Sequence, residues 1–209
     1  AYVITGPGLC NIMTPMGQSY SDSIPLLVIS TCLDNTESRY GQLHQMLDQE
    51  GAARAVCDWS ETAINFEAAY GLLGRAFHEF ASKRPRPKHI QVPISLLRGY
   101  APDFRTQRPV LTSFAQDEEA ISDVVSRLLS AKRPLFIVGG GAVKADIMPL
   151  LERCDAAVFS TFAGRGLVPP TYPLYMGSFL SRPDSAAIIA TADLVIVLGS
   201  ELAEVDLWR

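Results

Sequence analysis

The sequence predicts an α/β protein made of two doubly wound parallel-sheet units, and three observations carry that expectation. The strand candidates Ile24 to Ser30, Leu135 to Val138 and Leu194 to Leu198 are continuously apolar rather than alternating. That pattern means burial on both faces, between layers of helices. Segments of helical spacing alternate with these strands along the chain. Glycine turns stand at Gly6-Pro7-Gly8, Gly139-Gly140-Gly141 and Gly164-Arg165-Gly166, each at the carboxyl end of a strand. Open α/β sheets bind their ligands there.

In chain order, Val3 and Ile4 close a first short strand, and Asn11 is expected to cap a helix running to about Ser21. With the strand Ile24 to Ser30 these make a βαβ unit. Thr31 to Gln49 reads as a polar loop without periodicity, and a long irregular segment after a sheet strand is more often functional than not. Within it, His44 and Gln45 place an imidazole beside an amide just beyond Gly41. Glu50 to Asp58 supplies a short helix or bend. Glu67 to Lys83 is amphipathic, with Ala69, Leu72, Leu73, Ala76, Phe77 and Phe80 at helical spacing; His78, on that helix, reads as structural. Arg84-Pro85-Arg86-Pro87 ends the helix. His89 to Val92 is the next strand, ended by Pro93.

Residues 98–114, rich in proline, arginine and polar groups, form the expected linker between a domain over 1–97 and a second over 115–209. In the second, Gln116 to Ala131 is a helix with Ile121, Val124, Val125, Leu128 and Leu129 on one face and Asp117, Glu118 and Glu119 in its first turn. The strand Leu135 to Val138 runs into the triple glycine. Ala145 to Cys154 is a helix that Pro149 is expected to kink, Ala156 to Ser160 a strand, Ala186 to Thr191 a short helix, and Leu194 to Leu198 the last strand.

Composition bounds the function. With 209 residues, 48% hydrophobic, 19% charged and a net charge of −4, the chain is an ordinary globular protein with no basic footprint for nucleic acid or an anionic membrane. Cys10, Cys32, Cys57 and Cys154 are far apart and show no CxxC pair, so they read as buried thiols of a reducing compartment. No apolar run is long enough to span a bilayer and no secretion signal is apparent, which makes a cytoplasmic location the expectation. The chain opens on strand residues and stops at Asp206-Leu207-Trp208-Arg209, so a fragment of a longer protein is expected.

Gly139, Gly140 and Gly141 could let a phosphate or ribose approach the main chain. They lack the full GxGxxG spacing, so a tight structural turn stands beside that reading. No Ser-His-Asp order, HExxH or Walker lysine motif occurs. The residues alone reach two α/β units with nucleotide-type glycine turns.

The runs ITGPGLCN, DSIPLLVIS, SKRPRPKHIQVPISLL, AKRPLFIVGGGAV, STFAGRGLVPPTYPLYMG and ADLVIVLGS, in this order, resemble the acetolactate synthase-like family of thiamine diphosphate enzymes. The chain is similar to the latter part of that family's pyrimidine-binding domain and the earlier part of its central domain. The family's GPGxxN motif falls on Gly6, Pro7, Gly8 and Asn11, which the resemblance places at the aminopyrimidine end of thiamine diphosphate. Its aromatic-glutamine pair matches His44 and Gln45, with the glutamine facing cofactor or substrate. A histidine there can shuttle a proton near neutrality.

The departures also matter. Where flavin-containing members carry Gly-x-His-Gly and an arginine, this chain has Leu180-Ser181-Arg182-Pro183 and Glu201. A glutamate near a diphosphate opposes its binding. FAD is therefore doubtful, and the full-length protein is expected to show no flavin absorbance. The Leu43-His44-Gln45 run and the Glu201-Leu202-Ala203-Glu204 ending look more like the 2-oxo acid decarboxylases, among them those acting on a guanidino-oxo acid, than like acetolactate synthase proper. The resemblance further implies a 2-oxo acid substrate, carbanion chemistry, and a homodimer or homotetramer sharing its site between subunits. The activating glutamate would precede residue 1 and the Mg2+ and diphosphate ligands would follow residue 209, so the piece alone is expected to be inactive. A non-catalytic nucleotide-binding or assembly module is the alternative of another class.

Overall fold

The computed structural model describes residues 1–34, 41–103 and 116–207, so part of the 31–49 loop, most of the 98–114 linker and residues 208–209 lie outside the description. The chain folds as two compact units, Ala1–Phe114 and Ala115–Arg209.

In the first unit the elements run β1 (Tyr2–Val3), α1 (Pro7–Asp22), β2 (Leu27–Cys32), α2 (Gln49–Arg54), β3 (Trp59–Thr62), α3 (Phe66–Ser82), β4 (Lys88–Pro93) and α4 (Ile94–Leu97). The sheet is parallel throughout, in the order β1-β2-β4-β3, with Leu27 opposite Lys88 and Cys32 opposite Pro93. Helices cover both faces. Leu9 and Met16 of α1 and Ala53 of α2 meet Val28 and Cys57 on one side, while Ala76 of α3 meets Trp59, Ala63 and Ile90 on the other. Full burial of a side chain such as Leu9 or Met16 contributes roughly 1.5–3 kcal/mol.

Three details differ from the expectation. The first helix begins at Pro7, not after Asn11, because the fixed φ of proline suits the first helical position and Gly6, at φ 66°, makes the turn that precedes it. Asn11 therefore lies inside the helix. The sequence reading also passes over β3, whose four residues Trp-Ser-Glu-Thr have too little apolar character to show a period. Among the cysteines, Cys32 and Cys57 are buried, Cys154 is half-buried and Cys10 is exposed. Cys10 is no buried thiol, since it rides the outward side of α1.

A buried ion pair lies deep in this unit. Lys88, 1% exposed, holds Nζ 2.8 Å from Asp58 Oδ2 and 2.9 Å from Glu79 Oε2, near the rings of Trp59 and Phe80. Glu79 also accepts from Trp59 Nε1 and Arg75 Nε. Burial alone would push its carboxyl up, but the hydrogen bonds from Lys88, Trp59 and Arg75 outweigh that and hold it at about 2.

The second unit carries α5 (Glu118–Ser130), β5 (Pro134–Val138), α6 (Met148–Cys154), β6 (Ala157–Ser160), α7 (Pro183–Ala190), β7 (Leu194–Leu198) and α8 (Glu204–Leu207). Its parallel sheet has the order β6-β5-β7. Leu151 of α6 packs with Phe136, Val138 and Val158 on one face, and Ile189 of α7 joins Leu135, Ile137 and Phe159 on the other. Pro149 sits in the first turn of α6, where no N–H is needed, and so starts the helix rather than kinking it. The apolar face of α5 touches the core through Leu128, while Ile121, Val124 and Val125 are about half exposed and Leu129 more so.

Candidate functional site

The carboxyl ends of all four strands of the first unit converge on a cavity of about 550 Å³, reached by Thr5 after β1, Cys32 of β2, Thr62 of β3 and Pro93 of β4. A parallel sheet aligns its strand ends in this way, which is why sequentially distant residues meet there. Gln45, Gln49 and Gln91 line the cavity, as do Asp34, Asp48 and Glu50, and among the described residues no lysine or arginine does. Hydrogen bonds from the Ser95 hydroxyl and N–H hold the Asp34 carboxyl below its usual range.

The glycine turn is tied into this edge. Thr5 N–H donates to Thr31 Oγ1, and Gly6 N–H donates to Gln49 Oε1 at 2.9 Å. An added Cβ at Gly6 would run into the His44 carbonyl, and one at Gly8 would lie 2.8 Å from Ile4 Cγ2. His44 itself is left-handed at φ 61°, a region that few residues other than glycine enter. Two uncommon backbone conformations thus face each other where the loop crosses the turn, and such conformations cluster at functional sites.

Of the residues singled out from sequence, the structure brings Gln45 into the cavity and Gly6 and His44 together beside it. Pro7, Gly8 and Asn11 are not among the lining residues; Pro7 and Asn11 are exposed at the start of α1. Sequence reasoning missed Gln49 and Gln91, both buried, and the fully buried His89. The available signal was Lys88, His89 and Gln91 in one otherwise apolar strand, since polar groups in a central strand need buried partners. His89 lies between Ser30 Oγ (2.8 Å from Nε2) and Ser60 Oγ (2.7 Å from Nδ1), and burial pushes its imidazole down to about 4.

In the second unit, Gly139 N–H donates to Leu198 O and Gly141 N–H to Gly199 O. A Cβ on Gly139 would lie 2.6 Å from Ser200 Cβ, and one on Gly141 2.9 Å from Gly199 Cα. These two glycines let the turn after β5 pack on the turn after β7, and their N–H groups serve that contact.

A parallel α/β sheet with a polar cavity across its carboxyl edge, and a glycine turn whose Gly6 is buried beside it, is the arrangement in which open α/β domains bind ligands. Residues 1–52 match the family description "Thiamine pyrophosphate enzyme, N-terminal TPP binding domain", and residues 121–208 match "Thiamine pyrophosphate enzyme, central domain". The chain belongs to the thiamine pyrophosphate enzymes. It is 39% identical to a probable 2-ketoarginine decarboxylase of Pseudomonas aeruginosa, over all of this chain and 38% of that protein. It is 28% identical to acetolactate synthase isozyme 1 large subunit of Escherichia coli, over 94% of this chain and 36% of the relative. The crystal structure of benzoylformate decarboxylase from Polynucleobacter necessarius superposes with a TM-score of 0.83 at 23% identity, covering 95% of this chain and 39% of that one, a likeness of fold. The chain thus spans somewhat over a third of the length of these relatives.

Proposed function

We propose that this chain is part of a thiamine diphosphate-dependent enzyme that decarboxylates a 2-oxo acid, with a guanidino-bearing 2-oxo acid as the favoured substrate class. The observation that carries this is the 39% identity, over the whole chain, to the protein named for 2-ketoarginine. The cavity supports it: the carboxylates of Asp34 and Asp48 among its described lining residues suit a cationic substrate tail.

The residues fit the cofactor's pyrimidine end. Gly6 presents a turn without a side chain, and Gln45 offers an amide group that can both donate and accept. Gly6, Pro7, Gly8 and Asn11 would hold the ring, with His44 and Gln45 toward the substrate. When bound, the cofactor supplies the electron sink for the carbanion left as carbon dioxide departs. What this chain supplies is orientation by the turn, proton exchange at the His44 imidazole and polar contact from Gln45. Mg2+, ligated by residues beyond this chain, a site shared between subunits of a homo-oligomer, and a cytoplasmic location complete the proposal.

The test is carbon dioxide release by the full-length protein from 2-oxo-5-guanidinopentanoate, with and without thiamine diphosphate. Cofactor-dependent release supports the reading, and condensation of two pyruvates without that activity would replace it with an acetolactate synthase. Asn11→Ala and Gln45→Ala are each expected to lower turnover or cofactor affinity at least tenfold, about 1.4 kcal/mol. Unchanged kinetics in both would remove these residues from the site.

A further inference from the structure

Gln49 uses both ends of its side chain. Its Oε1 accepts from Gly6 N–H at 2.9 Å, and its Nε2 donates to Thr31 O at 2.8 Å, with Gln91 Oε1 at 3.1 Å and Ser30 Oγ at 3.2 Å. It is 8% exposed and opens α2, where Asp48 caps the helix by accepting from Gly51 N–H. The amide therefore joins four elements: the turn before α1, the end of β2, the end of β4 and the start of α2. Its partners are themselves fixed. Gln91 Nε2 donates to Thr62 Oγ1 of β3, and Ser30 is backed by His89, whose other ring nitrogen meets Ser60. A neutral imidazole donates through one nitrogen and accepts through the other, so Ser30 and Ser60 take opposite roles toward the ring, in the order that its tautomer sets.

We propose that Gln49 is a positioning residue for the bound cofactor: through the Gly6 N–H it fixes the glycine turn against the ends of β2 and β4, and so sets where the main chain meets the pyrimidine ring. This rests on the thiamine diphosphate reading above. Gln49 need not touch the cofactor. Its effect passes through Gly6, so it is felt at the pyrimidine end alone.

The experiment compares two ligands on the full-length enzyme with saturating Mg2+, thiamine diphosphate and inorganic diphosphate, by titration calorimetry. Gln49→Leu removes every bond of the amide, and the thiamine diphosphate Kd is expected to rise about tenfold or more while the diphosphate Kd stays within about twofold. Equal affinity for thiamine diphosphate in variant and wild type overturns the proposal, as does parallel loss of both ligands, which marks general damage. Failure of the wild type to bind thiamine diphosphate would instead overturn the cofactor reading itself. Should Gln49→Leu not fold, Gln49→Glu carries the test. It keeps an acceptor for Gly6 N–H but loses the donors to Thr31 and Gln91, so a weakening of roughly threefold or more, with diphosphate binding unchanged, is expected. Wild-type affinity in that variant overturns the proposal.

Discussion

Truncation of Lys88 to alanine in the full-length protein is expected to cost about 3–5 kcal/mol of stability, read by urea denaturation followed by circular dichroism. The ammonium lies between Asp58 and Glu79 and is nearly inaccessible, and Glu79 is itself 7% exposed. Removing one partner of a buried pair strands the other charge in a poor solvent. Trp59 and Arg75 still donate to Glu79, which sets the loss toward the lower end. Pairing Lys88→Met with Glu79→Gln removes both charges and should recover much of the loss, because the cost lies in the unpaired charge. A loss under about 1 kcal/mol in the alanine variant would sink the assignment.

The same pair fixes an acid limb. Glu79 has a folded value of about 2 against an ordinary 4.5, so its contribution is complete above about 4.5 and is lost as the pH falls through about 2. His89, pushed down to about 4 from 6.5, binds its proton more readily unfolded, so stability also declines between about 6.5 and 4. Without Lys88 the Glu79 carboxyl titrates higher, and the lower limb of the stability profile moves up in pH. An unmoved limb would mean that Trp59 and Arg75 alone hold the carboxylate down.

Gly6→Ala is expected to be the most damaging single methyl group in the first unit, reducing thiamine diphosphate affinity at least tenfold. Two costs add. The left-handed half of φ costs an L-residue roughly 1–2 kcal/mol, and the new Cβ would meet the His44 carbonyl, which is main chain and cannot swing aside. Relief would require displacing the loop that carries Gln45. An alanine variant with wild-type cofactor affinity would show that the turn is not part of the site. Gly166→Ala serves as control, since that glycine also has positive φ, at 91°, but nothing within 4 Å of an added Cβ.

Much of the fold was legible because it rests on local patterns. The strands β2, β5 and β7 declare themselves as unbroken apolar runs, although only β5 is buried along its whole length, and α3 declares itself by its 3.6-residue stripe, observed at Phe66–Ser82 within one residue of expectation at each end. The strand β3 was illegible because a short strand buried by helices and a polar partner needs no apolar period. The helix start at Pro7 was misplaced because a proline and a positive-φ glycine can begin a helix without a side-chain cap.

What the sequence determined by itself is therefore the class: parallel sheets, a glycine turn at a strand end, and an ordered set of motifs resembling thiamine diphosphate enzymes, now matched over residues 1–52 and 121–208. What only the tertiary structure decided is which polar groups share an environment. Gln49 is 43 residues from Gly6 and Gln91 is 42 from Gln49, yet one amide bonds to both. The GGG turn reads from sequence as a tight turn or a phosphate contact, and only the fold shows Gly199, 58 residues on from Gly141, packed against it. The physical reason is common to both: apolar periodicity is written along the chain, whereas hydrogen-bond satisfaction is a property of whatever the folded chain brings within 3 Å.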